Sequence, residues 1–293
     1  MFTRPKCCPN PNCSHHENPQ KGFYLRRGTY RTKHDLRDVP RYSCKGCGRW
    51  FNSRSLGGKA GQHKPQINKA VMGLICSGVT IRRAAVLVGV ARKTVDRKVR
   101  WLSEQARKAH LDFLARDSSK TGYVQMDEME TYEHSTLKPL SIILAVRPKT
   151  GQIISASVAP MNCHGVMAGK SRDIYGVRAD RRNEVFRESL RSVMMVAKHT
   201  MTISTDGKDT YRPAIREMIP SAVHEVHGRP KISKIDRPPK KWDPLYCINQ
   251  TSAKLRADLS RLARQTWSAT KRASALANHL AIYIAFNNGY EIA

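Results

Sequence analysis

Acidic residues are the scarce component of this chain. Of its 293 residues, 23 are Asp or Glu against 52 Lys or Arg, a formal net charge of +29. So large an excess goes beyond what solubility requires, and its usual counterpart is a phosphate backbone, whose condensed counterions are released when Lys and Arg replace them. Long hydrophobic runs are missing too: no stretch of 18 apolar residues occurs, which excludes a helical membrane span. The first residues, Met1-Phe-Thr-Arg-Pro-Lys-Cys-Cys8, lack the apolar core of a secretion signal, and no repeat period or low-complexity tract is visible. These absences leave a basic chain expected in the cytoplasm, with nucleic acid as its leading partner. The apolar fraction of 40% is ordinary for a folded protein, and the length suits about two domains of ~100–200 residues each.

Five of the eight cysteines crowd into the first 47 residues. Cys8 and Cys13 form a C-x4-C pair, and Cys44 and Cys47 a C-x2-C pair. Two close pairs separated by a hairpin suit one tetrahedral Zn2+, each turn presenting two sulfurs to the metal. Strand-like segments at Gly22 to Tyr30 and Arg41 to Ser43 would form the ribbon between them, a piece too small to bury a core without the ion. Residues 1–56 are therefore expected to be a zinc ribbon, with Cys7, His15 and His16 as spare ligand types.

After the glycine-rich Gly57-Gly-Lys-Ala-Gly61, a plausible hinge, hydrophobics return at helical spacing through Ile67, Val71, Leu74 and Ile75. Residues 63–118 then read as a helix-turn-helix unit in which Gly89 supplies the turn. Its second helix would present Arg92, Lys93, Thr94, Arg97, Lys98 and Arg100 to a major groove or to phosphates. An ordinary helical hairpin with a solvated basic face is the alternative.

From about Thr121 the texture changes to short strands, at Gly122 to Met126, Leu140 to Val146, Gln152 to Val158, His199 to Ser204 and Ala222 to Val226. An amphipathic helix from Arg182 to Ala197 interrupts them, and a long helical region from Asn249 to about Asn287 closes the chain. The fold class is α/β, and this element order is that of an RNase H-like domain over 119–293. Asp127 ends the first of these strands and Asp206 the fourth, so the sheet could bring the two carboxylates together to hold hard divalent cations that also ligate phosphate oxygens. A helix cap and a turn aspartate are the bland alternatives. Glu128 and Glu130 are expected to be flanking or structural.

The motifs Tyr42-Ser-Cys-Lys-Gly-Cys-Gly-Arg-Trp-Phe51, Asp127-Glu-Met129, Thr205-Asp-Gly207 and Leu255-Arg-Ala-Asp-Leu-Ser-Arg-Leu-Ala-Arg264 follow in an order and spacing that covers nearly the whole chain. In them the chain resembles bacterial insertion-sequence transposases of the DDE superfamily, the branch that joins a zinc ribbon and helix-turn-helix to an RNase H-like catalytic domain. The resemblance implies binding of element ends and target DNA, Mg2+- or Mn2+-dependent phosphodiester hydrolysis and strand transfer, and a homo-oligomer on DNA in the bacterial nucleoid.

One position departs from that pattern. Where the family usually has glutamate, this chain has Asn249, seven residues and two helical turns before Arg256, as in a branch with a D-D-N set. Two divalent metals carry four positive charges; Asp, Asp and Glu offset three and Asp, Asp and Asn two, so weaker binding of the second metal follows. The implied site is Asp127, Asp206 and Asn249 as Mg2+ ligands, with Arg256 contacting phosphate or orienting the third ligand. A helix N-cap is the other role open to Asn249, Asp243 and Asp258 are rival third acids, and a catalytically inactive, DNA-binding descendant is the alternative function.

Overall fold

The computed structural model describes residues 4–32, 36, 38–52, 55, 62–228, 243–263 and 267–292. The glycine-rich stretch 57–61, the basic stretch 229–242 with Trp242, and Arg264 lie outside them. The chain divides into two compact units, Met1–Ile67 and Asn68–Ala293.

In the first unit a short helix α1 (Ser14–Glu17) precedes three antiparallel strands, β1 (Tyr24–Arg31), β2 (Asp38–Cys44) and β3 (Trp50–Asn52), in the order β1-β2-β3. Its core is small: Phe23, Tyr42 and Phe51 pack with Cys8, Cys13 and Cys44.

The second unit opens with α2 (Asn68–Ile75), α3 (Ile81–Leu87) and α4 (Arg92–Arg116), so the helices of 68–118 and the sheet that follows belong to one compact unit. Thr80 caps α3 by accepting a hydrogen bond from the Arg83 backbone N–H, and Gly89, at φ 65°, makes the turn into α4. The sheet comprises β4 (Thr121–Glu133), β5 (Ser135–Arg147) and β6 (Gln152–Pro160), then, after α5 (Ala168–Tyr175) and α6 (Arg182–Val196), β7 (Ala197–Thr205), α7 (Tyr211–Met218) and β8 (Val223–Val226). Helices α8 (Tyr246–Asp258) and α9 (Ala273–Asn287) follow.

The five strands are ordered β6-β5-β4-β7-β8, with β5 antiparallel to both its neighbours and β7 parallel to β4 and β8. This mixed sheet is consistent with an RNase H-like fold. Alternation along β4 divides its residues between two layers. Val124 and Met126 enter the core with Val185, Phe186, Leu190 and Val193 of α6, whereas Gln125 hydrogen-bonds the start of α8 on the opposite face. Among the described residues no helix is long and apolar enough to cross a membrane.

Two elements differ from the sequence reading. Strand β4 continues six residues beyond Asp127, because Asp127 to Tyr132 pair with Leu144 to Pro139 of β5 despite their weak strand propensity. The C-terminal region is two helices and not one. Leu259 and Leu262 turn into the core and the Thr270 carbonyl accepts the His134 N–H at 2.6 Å, which breaks the helix although no Gly or Pro marks the place. Trp267 is fully exposed on that connection.

Candidate functional site

The four cysteines meet at the tip of the three-stranded sheet. Cys8 Sγ lies 3.6 Å from Cys47 Sγ and Cys13 Sγ 3.7 Å from Cys44 Sγ, with all four sulfurs within 4.8 Å of one another. An ion ~2.3 Å from four tetrahedral sulfurs would set adjacent sulfurs about 3.8 Å apart, whereas a disulfide requires about 2.0 Å. The geometry thus fits a metal and excludes disulfides. Burial pushes the Cys8 thiol up to about 12, while a hydrogen bond from the Arg49 backbone holds Cys47 down to about 6. Cys7, His15 and His16 stand outside the cluster; the His16 Nδ1 lies 2.6 Å from the Cys8 carbonyl oxygen.

The aspartates come together through strand register. Parallel strands β4 and β7 pair Gln125 with Ser204, and two residues further along each chain stand Asp127 and Asp206. Continued past the end of β7, this register sets the backbone of Asp206 opposite that of Asp127. Asp206 is exposed, just past the end of β7. Gly207 then turns the chain at φ 89°, where a Cβ would sit 2.5 Å from Val226 Cγ1; only glycine fits.

Lys208 anchors this turn, its Nζ 2.6 Å from Glu128 Oε1 and 5.6 Å from the centre of the Tyr211 ring. Glu128 Oε2 also accepts the Ser141 hydroxyl at 2.9 Å, a structural role on the face opposite Asp127. Burial first, and then the negative charges of Glu128, Asp206 and Asp127, push the Tyr211 phenol upward, which marks the three carboxylates as its neighbours.

Helix α8 is clipped to this face by Gln125. Its Oε1 accepts the Ile248 N–H at 3.0 Å and its Nε2 donates to the Pro244 carbonyl at 2.6 Å. Asn249 is the next residue, exposed. Leu245 is the N-cap and Asn249 lies inside the first turn, so Asn249 is not the cap. Its Nδ2 donates to Asp243 Oδ2 at 2.8 Å, and Asp243 Oδ1 accepts the Leu245 N–H at 3.0 Å. The other rival acid, Asp258, accepts the Tyr283 hydroxyl at 2.7 Å at the far end of α8. Arg256 lines a cavity at that same end. Among the described residues the four cysteines are the only group of three or more His, Cys, Asp or Glu close enough to hold an ion.

On α4, Arg92, Lys93 and Arg97 are exposed and Thr94 is half-buried. Arg100 is exposed but pairs with Asp96 at 2.6 Å. Lys98 is a correction: it is only 5% exposed, on the stripe that buries Val95, Val99 and Leu102, and burial lowers its pKa. It cannot face a groove. Sequence reasoning also missed Gln125, two residues before Asp127 on the same strand face, which is the signal that could have found it.

No protein-family model matches the sequence, and no curated protein does. Among solved structures, the crystal structure of the Mos1 strand transfer complex aligns with 75% of this chain and 76% of that chain, at 10% identity and a TM-score of 0.27. A score that low bears on neither fold nor function.

Proposed function

We propose that the chain is a DNA transposase of the DDE type, with the Cys unit a zinc ribbon, residues 63–118 a DNA-binding helix-turn-helix and residues 119–293 the catalytic domain. The observation that supports this reading is the register that pairs Gln125 with Ser204, two residues before Asp127 and Asp206, while the Gln125 side chain accepts the N–H of Ile248, the residue before Asn249. Two adjacent carboxylates in a chain of charge +29 are a local exception to the field that attracts DNA. Asp127, Asp206 and the Asn249 Oδ1 form an all-oxygen donor set, as hard divalent cations require.

Bound there, Mg2+ or Mn2+ supplies polarisation of the scissile phosphate and a more acidic attacking water. Asp127 and Asp206 carry the negative charge of the site, and Lys208 and Gly207 keep Asp206 at the strand end. Asn249 contributes a neutral oxygen. Water adds to phosphorus and the P–O3′ bond breaks, leaving a 3′-hydroxyl and a 5′-phosphate. That hydroxyl then attacks a target phosphodiester, forming one P–O bond as another breaks and releasing a target 3′-hydroxyl. Arg92, Lys93, Thr94 and Arg97 bind the element ends, and Arg256 contacts a neighbouring phosphate. Two ends must be held at once, so a homo-oligomer on DNA is part of the proposal, as is a place in the cytoplasm at the nucleoid.

The neutral Asn249 favours one second reading, a transposase-derived protein that binds DNA without cutting it. A strand-transfer assay with the element's own ends separates the two: joined products support the transposase, and binding without cleavage in both Mg2+ and Mn2+ supports the inactive descendant.

A further inference from the structure

At the far end of α8 lies a cavity of about 360 Å³, walled by Glu130, Thr131 and Tyr132 of β4 on one side and by Arg256, Arg261 and Leu262 on the other. Its volume is that of a small-ligand site. Arg261 is held in an unusual way. Its Nε donates at 2.9 Å to Nε2 of His279, a side chain of α9 only 2% exposed. To accept that hydrogen bond the imidazole must be neutral, and burial followed by the charge of Arg261 pushes its pKa down to about 3. The charges acting on Arg261, Asp96 and Arg92, oppose each other, and burial lowers the guanidinium's own pKa.

The guanidinium is held by a neutral ring, and the carboxylate whose charge reaches it, Asp96, lies outside the cavity wall. Anchored through Nε, it keeps its Nη edge for a ligand. Glu130 is the one carboxylate on the wall, and its exposure lets it swing into water.

Two rulers relate this cavity to the aspartate site. From Asp127 to Thr131, which share a strand face, β4 advances about 13 Å at ~3.3 Å per residue. From Asn249 to Arg256 a helix advances about 10.5 Å at ~1.5 Å per residue. The strand runs from Asp127 and the helix from Asn249, and both reach the cavity, so a DNA strand lying along them meets it within a few nucleotides of the cut.

We infer that this cavity is a seat for one backbone phosphate of the DNA strand cleaved at Asp127 and Asp206, within a few nucleotides of the scissile bond, gripped by Arg261 and Arg256 with His279 as the positioning residue for Arg261. The inference rests on the transposase reading for the identity of the strand, and the grip itself is independent of the chemistry.

The test is equilibrium binding, without divalent ions, of a 30-base-pair duplex with a single-stranded 3′ extension, for wild type, Arg261→Gln and, as a control on the opposite face of the sheet, Arg191→Gln. Arg261→Gln is expected to bind roughly tenfold more weakly and to reduce the slope of log affinity against log salt by about 0.7–0.9. Arg191→Gln should match wild type. His279→Gln, which keeps an acceptor for Arg261, should retain binding, and His279→Leu should lose it as Arg261→Gln does. If Arg261→Gln does not fold, Arg256→Gln gives the same readout.

Single methylphosphonate substitutions along the cleaved strand then locate the contact: one position within a few nucleotides of the cut should weaken wild-type binding and be silent in Arg261→Gln. Unchanged affinity and salt slope in both arginine variants overturn the inference. An Arg261 effect in a protein that never cleaves DNA overturns the transposase reading and leaves the phosphate seat standing.

Discussion

The side-chain amide of Asn249 donates from Nδ2 to Asp243 Oδ2 at 2.8 Å, which fixes the orientation of the amide and turns its Oδ1 away from that carboxylate. The reverse orientation would set two oxygens against each other. An amide polarised by a carboxylate presents a more electron-rich oxygen, so under the proposed function Asp243 would offset part of the charge that a glutamate at position 249 would carry.

Under the proposed function, Asp243→Asn should raise the Mn2+ concentration needed for half-saturation several-fold, read from the loss of the free-ion signal in electron paramagnetic resonance. Asn249→Glu alone sets two carboxylates side by side and should gain little; Asn249→Glu with Asp243→Asn should bind Mn2+ more tightly than wild type. Equal affinities across the three variants contradict a role for either residue in metal binding.

The four-cysteine cluster should carry one Zn2+ per chain, measured by elemental analysis of the purified protein. Cys8→Ser or Cys44→Ser should lose it. Because the core beneath is little more than Phe23, Tyr42 and Phe51, chelation should unfold the three-stranded unit, seen as lost amide protection in β1 and β2 while β4 to β7 stay protected. Persistent protection after removal of the metal would argue for a self-sufficient core.

Lys98 and Arg97 are adjacent on α4 and should behave oppositely. Arg97→Ala removes an exposed cation and should flatten the salt dependence of DNA binding by about 0.9, with stability within ~0.5 kcal/mol of wild type. Lys98→Met keeps the buried aliphatic length and removes a charge that does not reach the surface, so DNA affinity and its salt dependence should be unchanged.

His279 gives acid sensitivity with a definite sign. Its pKa falls from about 6.5 to about 3 on folding, so between those values the unfolded chain binds the extra proton and stability drops as pH falls. The slope is about 1.4 kcal/mol per pH unit. Comparing urea unfolding at pH 7.5 and 5.5, wild type should lose about 1.4 kcal/mol more than His279→Gln; equal losses would show that the ring is already protonated in the fold.

How far the sequence foretold these features depends on the kind of signal. The C-x4-C and C-x2-C spacings needed nothing beyond local turns, and the four sulfurs do converge. The strands around Asp127 and Asp206 were visible in their apolar runs. The length of β4 was not, because Asp127, Glu128 and Glu130 are poor strand formers kept extended only by pairing with β5. The break between α8 and α9 had no Gly or Pro to announce it, being made by Leu259, Leu262 and the Thr270 carbonyl finding partners elsewhere in the fold. Lys98 was misread because side-chain type outweighed its position, three residues from Val95 and four from Leu102 on one helical stripe. Gln125 and His279 act through residues more than a hundred positions away or through a loop, distances at which sequence patterning is silent.

The central claim is that Asp127 and Asp206 act together in phosphodiester chemistry, and the most direct measurement is strand transfer by wild type, Asp127→Ala and Asp206→Ala with the element's own ends in Mg2+ and Mn2+. Joined products from wild type, at least a thousandfold fewer from either variant, and unchanged end binding by all three is the expected result. Joining that survives both substitutions would contradict it.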